Sequence, residues 1–177
     1  MSVRVEQLFT AREGSAPMES HDSIDCVEGG IEGDRYQSGT GYYSPYDVCE
    51  VTFVAREAVE AIRDEYGIDL TDGRHRRNVV LSGVGTDELH DLLGATFRVG
   101  DAVFRGTRPR PPCAHVEEVA DEEGVTRALK NRRGGICADV SEPGSVSVGD
   151  ELGVVEEDAR SEGRKIADRL RGALGGG

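Results

Sequence analysis

Short runs of β-branched and apolar residues, each closed by a glycine-bearing turn, recur along most of the chain, and this rhythm constrains the fold more than any other feature. Val3 to Phe9, Ser23 to Val27, Val48 to Val54, Asn78 to Leu81, Thr96 to Val99, Ala102 to Arg105, Ile136 to Val140, Ser145 to Val148 and Leu152 to Val155 all read as strands. Gly100-Asp101 forms a tight-turn pair that joins two of them as a hairpin, and Pro143-Gly144 and Gly149-Asp150 separate the last three. So many short strands with close turns predict a mostly β fold, a barrel or a sandwich, with one or two helices at its edge. Because tryptophan is absent and aromatics make up 5%, the core must be built chiefly from Val, Leu, Ile and Ala.

One stretch breaks the period. From Arg56 to Tyr66, Ala58, Val59, Ile62 and Tyr66 fall on one helical face with charges elsewhere, and Gly67 supplies the stop. Asp87 to Leu93 and Gly124 to Lys130 read as shorter helical turns. Glu13 to Met18 is a surface loop, and Glu28 to Tyr46 is a long polar connection of the kind that is functional or disordered. Past Val155 the pattern becomes charged, with Ile166, Leu170 and Leu174 at helical spacing. The 177 residues therefore divide into one domain, 1–156, and a charged C-terminal helix or tail, 157–177.

Charge narrows the function classes. With 34 Asp and Glu against 21 Lys and Arg, the net charge is −13, which disfavours partnership with nucleic acid or an anionic membrane face. Lys130 and Lys165 are the chain's lysines, and this acid-rich, lysine-poor balance suits a halophilic protein of a salt-rich cytosol. No run approaches the roughly 18 apolar residues of a membrane span. Cys26, Cys49, Cys113 and Cys137 are dispersed, with no CxxC, so the expectation is a cytoplasmic protein with reduced thiols.

The segment Arg105-Gly-Thr-Arg-Pro-Arg-Pro-Pro-Cys113-Ala-His115 carries the most chemistry. Proline donates nothing to a sheet ladder, so this run must be a loop or an edge. If Ala114 to Ala120 is helical, Cys113 sits before a helix start, with Arg108 and Arg110 nearby to favour a thiolate, the form that attacks or ligates. The alternative is a small buried hydrophobe, which is also the reading for Cys26, Cys49 and Cys137. Cations collect in Arg74-His-Arg-Arg-Asn78 and in Lys130-Asn-Arg-Arg133, the latter followed by Gly134-Gly135. Either they pair with neighbouring carboxylates or, with Arg108 and Arg110, they line a pocket for a small anion. No GxxxxGK[ST] loop or full GxGxxG is present. His21, His75 and His90 read as surface or hydrogen-bonded histidines.

Taken in order, Gly30-Ile-Glu-Gly-Asp34, Val51-Thr-Phe-Val54 leading into Glu57-Ala58, Arg76-Arg-Asn-Val-Val80, Gly94 to Asp101, Pro112-Cys113, Gly134-Gly-Ile136 and Gly144 to Asp150 resemble MOSC domains, named for the C-terminal domain of molybdenum cofactor sulfurase. The resemblance spans Val3 to Val155. It implies a MOSC-type β-barrel with one or two peripheral α-helices and a pocket around the family cysteine. It also implies a molybdenum-pterin cofactor, with Cys113 receiving sulfur as a persulfide for a molybdenum or related metal-sulfur centre. The alternative it carries is a small molybdenum-dependent reductase of N-hydroxylated compounds, in which Cys113 ligates the metal. On either reading Arg76, Arg77 and Asn78 contact the pterin or its phosphate, Gly33 and Asp34 shape the pocket mouth, and Arg108 and Arg110 hold the thiolate or the anion. No pyridoxal phosphate site is expected within the chain, so a separate pyridoxal phosphate-dependent cysteine desulfurase and a molybdoenzyme acceptor are the implied partners.

Overall fold

Every residue of Val51–Ala55 is buried, so this run cannot lie at a solvated edge and must be covered on both faces. The computed structural model, which describes residues 2–38, 49–110 and 114–156, places it in the middle of a large sheet. In chain order the strands are β1 (Arg4–Thr10), β2 (Glu19–His21), β3 (Ser23–Val27), β4 (Gly30–Ile31), β5 (Val51–Ala55), β6 (Val79–Ser82), β7 (Thr96–Val99), β8 (Ala102–Pro109), β9 (Ile136–Glu142), β10 (Gly144–Ser147) and β11 (Leu152–Glu156). The helices are α1 (Arg35–Ser38), α2 (Arg56–Tyr66), α3 (Ala114–Ala120) and α4 (Val125–Ala128), with a 3₁₀ turn at Glu88–Leu92. The eight-stranded sheet runs β11-β7-β8-β9-β5-β6-β1-β2, and β10-β3-β4 form a second, three-stranded sheet.

β5 and β6 are parallel, and α2 lies on the connection between them, since parallel neighbours need a crossover where a hairpin serves antiparallel ones. The predicted helix boundaries are met. Gly67, at φ 67°, ends α2 and returns its N–H to the carbonyl of Arg63. β7 and β8 form the predicted hairpin. β8 is longer than expected, pairing with β9 as far as Pro109 opposite Ile136, with a register shift between Gly106 and Arg108.

The chain is mostly β with few helices, but a closed barrel is not shown. β1 spends its pairing capacity on β2 and β6, leaving only its first residues to meet the far end of the sheet. That meeting is an isolated bridge, Arg4 opposite Glu151, supported by Val5 N–H to Asp150 O and Leu152 N–H to Val3 O, each 2.9 Å.

Two apolar cores result. The main one includes Phe53, Phe97 and Phe104, with ring centroids 5.2 to 5.7 Å apart. The second lies among α2, α3 and α4, where Val59, Ile62, Leu70, Val116, Val125 and Leu129 pack together. Cys49 and Cys137 are joined as a disulfide with Cα atoms 5.5 Å apart, which corrects the expectation of four reduced thiols. Among the described residues no helix is long and apolar enough to cross a membrane. Residues 157–177, where a charged helix or tail was expected, lie outside the described residues.

Candidate functional site

The Gly-Asp turn of the early loop becomes the centre of a buried polar network. Gly33, at φ 83°, makes the left-handed step that ordinary residues avoid, and it delivers Asp34 inward. Asp34 is fully buried. Its Oδ1 accepts from Ala11 N–H (3.0 Å), Arg35 Nη1 (3.0 Å) and Asn78 Nδ2 (3.3 Å), and its Oδ2 accepts from Tyr36 N–H (3.3 Å). The Asp34–Arg35 ion pair survives burial because both partners make further hydrogen bonds, Arg35 Nη2 donating to Arg76 O at 2.9 Å.

Asn78 immediately precedes β6 and ties it to β1 and β5. Its Oδ1 accepts from the N–H and the hydroxyl of Thr52, each 3.0 Å, and its Nδ2 also donates to Phe9 O at 3.1 Å. Arg76 reaches the other way, donating to Ala16 O (2.7 Å) and Gly14 O (2.9 Å). It pins the loop predicted as a plain surface connection. Burial, with Arg35 close by, pushes the Arg76 guanidinium down to about 10, still well charged at neutral pH. Arg77 donates from Nε to Gly134 O (2.6 Å) and from Nη1 to His75 O (3.1 Å).

His75 is itself buried, accepts the Arg77 N–H at Nδ1 (2.9 Å), and has no partner at Nε2 among the described residues. Burial and then Arg77 lower it to about 3, so it is neutral. His90 is also buried, with Nε2 unpartnered among the described residues, so neither is the surface or fully bonded histidine expected.

Arg110 joins this network through Tyr36. Its Nη2 donates to the Tyr36 hydroxyl at 2.8 Å, and its guanidinium carbon lies 5.6 Å from the ring centroid, while that of Arg35 lies 4.4 Å from the same ring. Gly33, Asp34, Arg76, Asn78 and Arg110 are therefore brought together. Arg77 approaches from Gly134, next to the Arg110 main chain, and Arg108 stands on β8 opposite Cys137. Cys113 lies outside the described residues. Arg35 and Tyr36 escaped the sequence reading, although their direct adjacency to Gly33-Asp34 marked them.

Residues 46–153 match the family model of the MOSC domain. The chain belongs to the MOSC domain family. The family is associated with molybdenum cofactor binding, and no curated protein matches this chain. The fold of this MOSC domain is similar to that of the YUAD protein from Bacillus subtilis, with TM-score 0.71, 23% identity and coverage of 86% of this chain and 94% of that one. It is also similar to YiiM from Geobacillus stearothermophilus, with TM-score 0.68, 17% identity and coverage of 87% and 75%. YiiM from Escherichia coli gives TM-score 0.63, 21% identity and coverage of 87% and 70%.

The donor chemistry divides the predicted cofactor contacts of the MOSC domain. Arg76, Arg77 and Asn78 bond protein carbonyls and strand groups through the atoms named above, and these bonds tie the surrounding loops to β1, β5 and β6. Arg108 and Arg110 carry planar guanidinium forks of the kind that meets phosphate oxygens, Arg110 already donating to Tyr36.

Proposed function

We propose that this MOSC domain binds the molybdenum-pterin cofactor and carries sulfur on Cys113. The observation that supports the choice of sulfur is the state of the other thiols. Cys49 and Cys137 are joined to each other, and Cys26 is buried, its thiol pushed up to about 12 by desolvation and the neighbouring Asp25. A sulfur that must be a thiolate at neutral pH therefore falls to Cys113, which follows Arg110 by three positions and precedes α3. Arg108 and Arg110 hold the anion, and the Asp34 network fixes the Arg110 partner Tyr36 in place.

Sulfur arrives from the persulfide of a pyridoxal phosphate-dependent cysteine desulfurase. The Cys113 thiolate attacks the outer sulfur, a new S–S bond forms on Cys113, the old one breaks, and the desulfurase leaves as a thiolate. A molybdoenzyme is the acceptor, and the cofactor, when bound, supplies the metal centre to be sulfurated. Incubation with a desulfurase and cysteine should add 32 Da at Cys113 by mass spectrometry and add nothing to Cys113→Ser. Metal loading with reduction of hydroxylamines, and no sulfur adduct, would replace this reading by the reductase one.

A further inference from the structure

The turn that leads from α4 into β9 and the end of β8 enclose a cavity of about 270 Å³ lined by His90, Arg110, Lys130, Asn131, Arg132 and Gly134, among others. We propose that this cavity binds a small oxyanion able to bring a proton with it, a phosphate or a phosphate monoester. The cavity shares Arg110 with the proposed cofactor contacts, whereas His90, Lys130 and Arg132 are its own, and neither Cys113 nor the molybdenum cofactor is needed to fill it.

His90 is the first reason. It is 7% exposed, and its Nδ1 lies 3.1 Å from the carbonyl oxygen of Thr86. A carbonyl only accepts, so Nδ1 carries the hydrogen, and Nε2 is left buried with no hydrogen-bond partner among the described residues. A buried polar atom in that condition is costly unless something outside the chain completes it. Its ring lines the cavity, and a ligand atom there is the missing partner.

The second reason is the charge around it. Lys130 is exposed and has no ion-pair partner among the described residues. Arg132 has only a loose contact with Asp87 at 3.4 Å, whereas its neighbour Arg133 is held by Glu65 through two bonds of 2.8 Å and is spent. In a chain of net charge −13, one cation without an ion pair among the described residues and a second held only by a long bond to Asp87, both beside a cavity, stand against the general balance.

Backbone geometry is the third. Asn131 and Arg132 are consecutive left-handed residues, φ 62° and 68°, and neither is glycine. The amides of Asn131, Arg132 and Gly134 donate to no backbone carbonyl among the described residues. Runs of such amides form concavities for anions.

The proton sets the chemical class. With its Nδ1 hydrogen on the Thr86 carbonyl, a neutral His90 only accepts at Nε2, so the ligand oxygen that meets it must carry the hydrogen. Phosphate and its monoesters titrate near neutrality and supply that proton, while sulfate does not.

Isothermal titration calorimetry on the full chain at fixed pH, in a constant high concentration of chloride, tests this with inorganic phosphate, glycerol 3-phosphate and sulfate as probes. One saturable site is expected, with phosphate at least about tenfold tighter than sulfate. Lys130→Ala and Arg132→Ala should each weaken it by about tenfold. His90→Phe should erase the preference over sulfate, and Arg4→Ala and Cys113→Ser should change nothing. Equal or tighter glycerol 3-phosphate binding assigns the site to a phosphorylated small molecule, and phosphate alone assigns it to the free ion. Absence of saturable binding, indifference to Lys130→Ala and Arg132→Ala, or equal affinity for sulfate in the unmodified protein overturns the proposal. Because Lys130 and Arg132 are exposed, their variants keep the test decisive even if His90→Phe fails to fold.

Discussion

Two arginine-bearing clusters look alike as sequence and behave as opposites in the fold. Around Asp34, the guanidinium groups of Arg35, Arg76 and Arg77 are buried and turned onto carbonyls, a carboxylate and a methionine sulfur. Around His90, Lys130 and Arg132 stand at the rim of a cavity with an orphaned imidazole nitrogen. The lesson is that a cation's role depends on whether the protein's own acceptors reach it first. Arg74, bonded to Asp72 at 2.7 Å and to Glu122, and Arg133, bonded to Glu65, show the same rule at the surface.

The comparison can be broken hardest at Asp34. Asp34→Ala leaves Arg35 buried without its carboxylate and should cost about 3–5 kcal/mol in urea unfolding. A loss under about 1 kcal/mol would show that the network is not the structural half of the pair. Reduction of Cys49–Cys137, which links positions 88 residues apart, should remove about 2–4 kcal/mol, read as a lower melting temperature in a thiol reductant.

Acid tests the same buried region. His75 is lowered to about 3 in the fold and returns to about 6.5 on unfolding, so its contribution is complete above about 6.5 and is lost as pH falls toward 3. Within that window the stability should fall by about 1.4 kcal/mol per pH unit from this group alone. His75→Gln should flatten that slope, and an unchanged slope would locate the titration elsewhere. At the open cluster the expected stability effects are the smallest. Arg133→Ala should cost about 0.5–1 kcal/mol and Arg132→Ala less than about 0.5, measured by urea unfolding. An Arg132→Ala cost near that of Asp34→Ala would erase the distinction between the two regions.

Much of the architecture was legible because strand and helix periods are local. Ser23–Val27, Thr96–Val99 and Arg56–Tyr66 stand where apolar spacing and Gly67 put them. β2 and β4 were missed because Glu19–His21 and Gly30–Ile31 are too short or too polar to carry a period, and they exist by pairing with β1 and β3. Pro109 misled in a different way. A proline-rich run suggested an early end to β8, yet pairing with β9 carries the strand through Arg108 and Pro109.

At the candidate site, Gly33-Asp34 and Arg76 to Asn78 were found, but not the protein groups they bond. Nothing local in a sequence says that Gly14, Ala16 and Gly134, up to 62 residues away, offer carbonyls to these arginines. The disulfide was invisible for the same reason, since only the pairing of β5 with β9 brings Cys49 within reach of Cys137.

The isolated bridge between Arg4 and Glu151 has a consequence for the order in which the molecule is made. Its two halves are 147 positions apart, and β1 also waits for Val79–Ser82 before its second neighbour exists. A ribosome adds about 5–20 residues per second, so the first strand spends seconds with its future seam unmade. Pairings this distant in the chain are slow to close, in the millisecond to second range once the partners are available. β1 is thus synthesised before β6 and the Glu151 segment and is completed only after both, so a factor that shields a nascent chain would find Arg4 to Thr10 in long need of it.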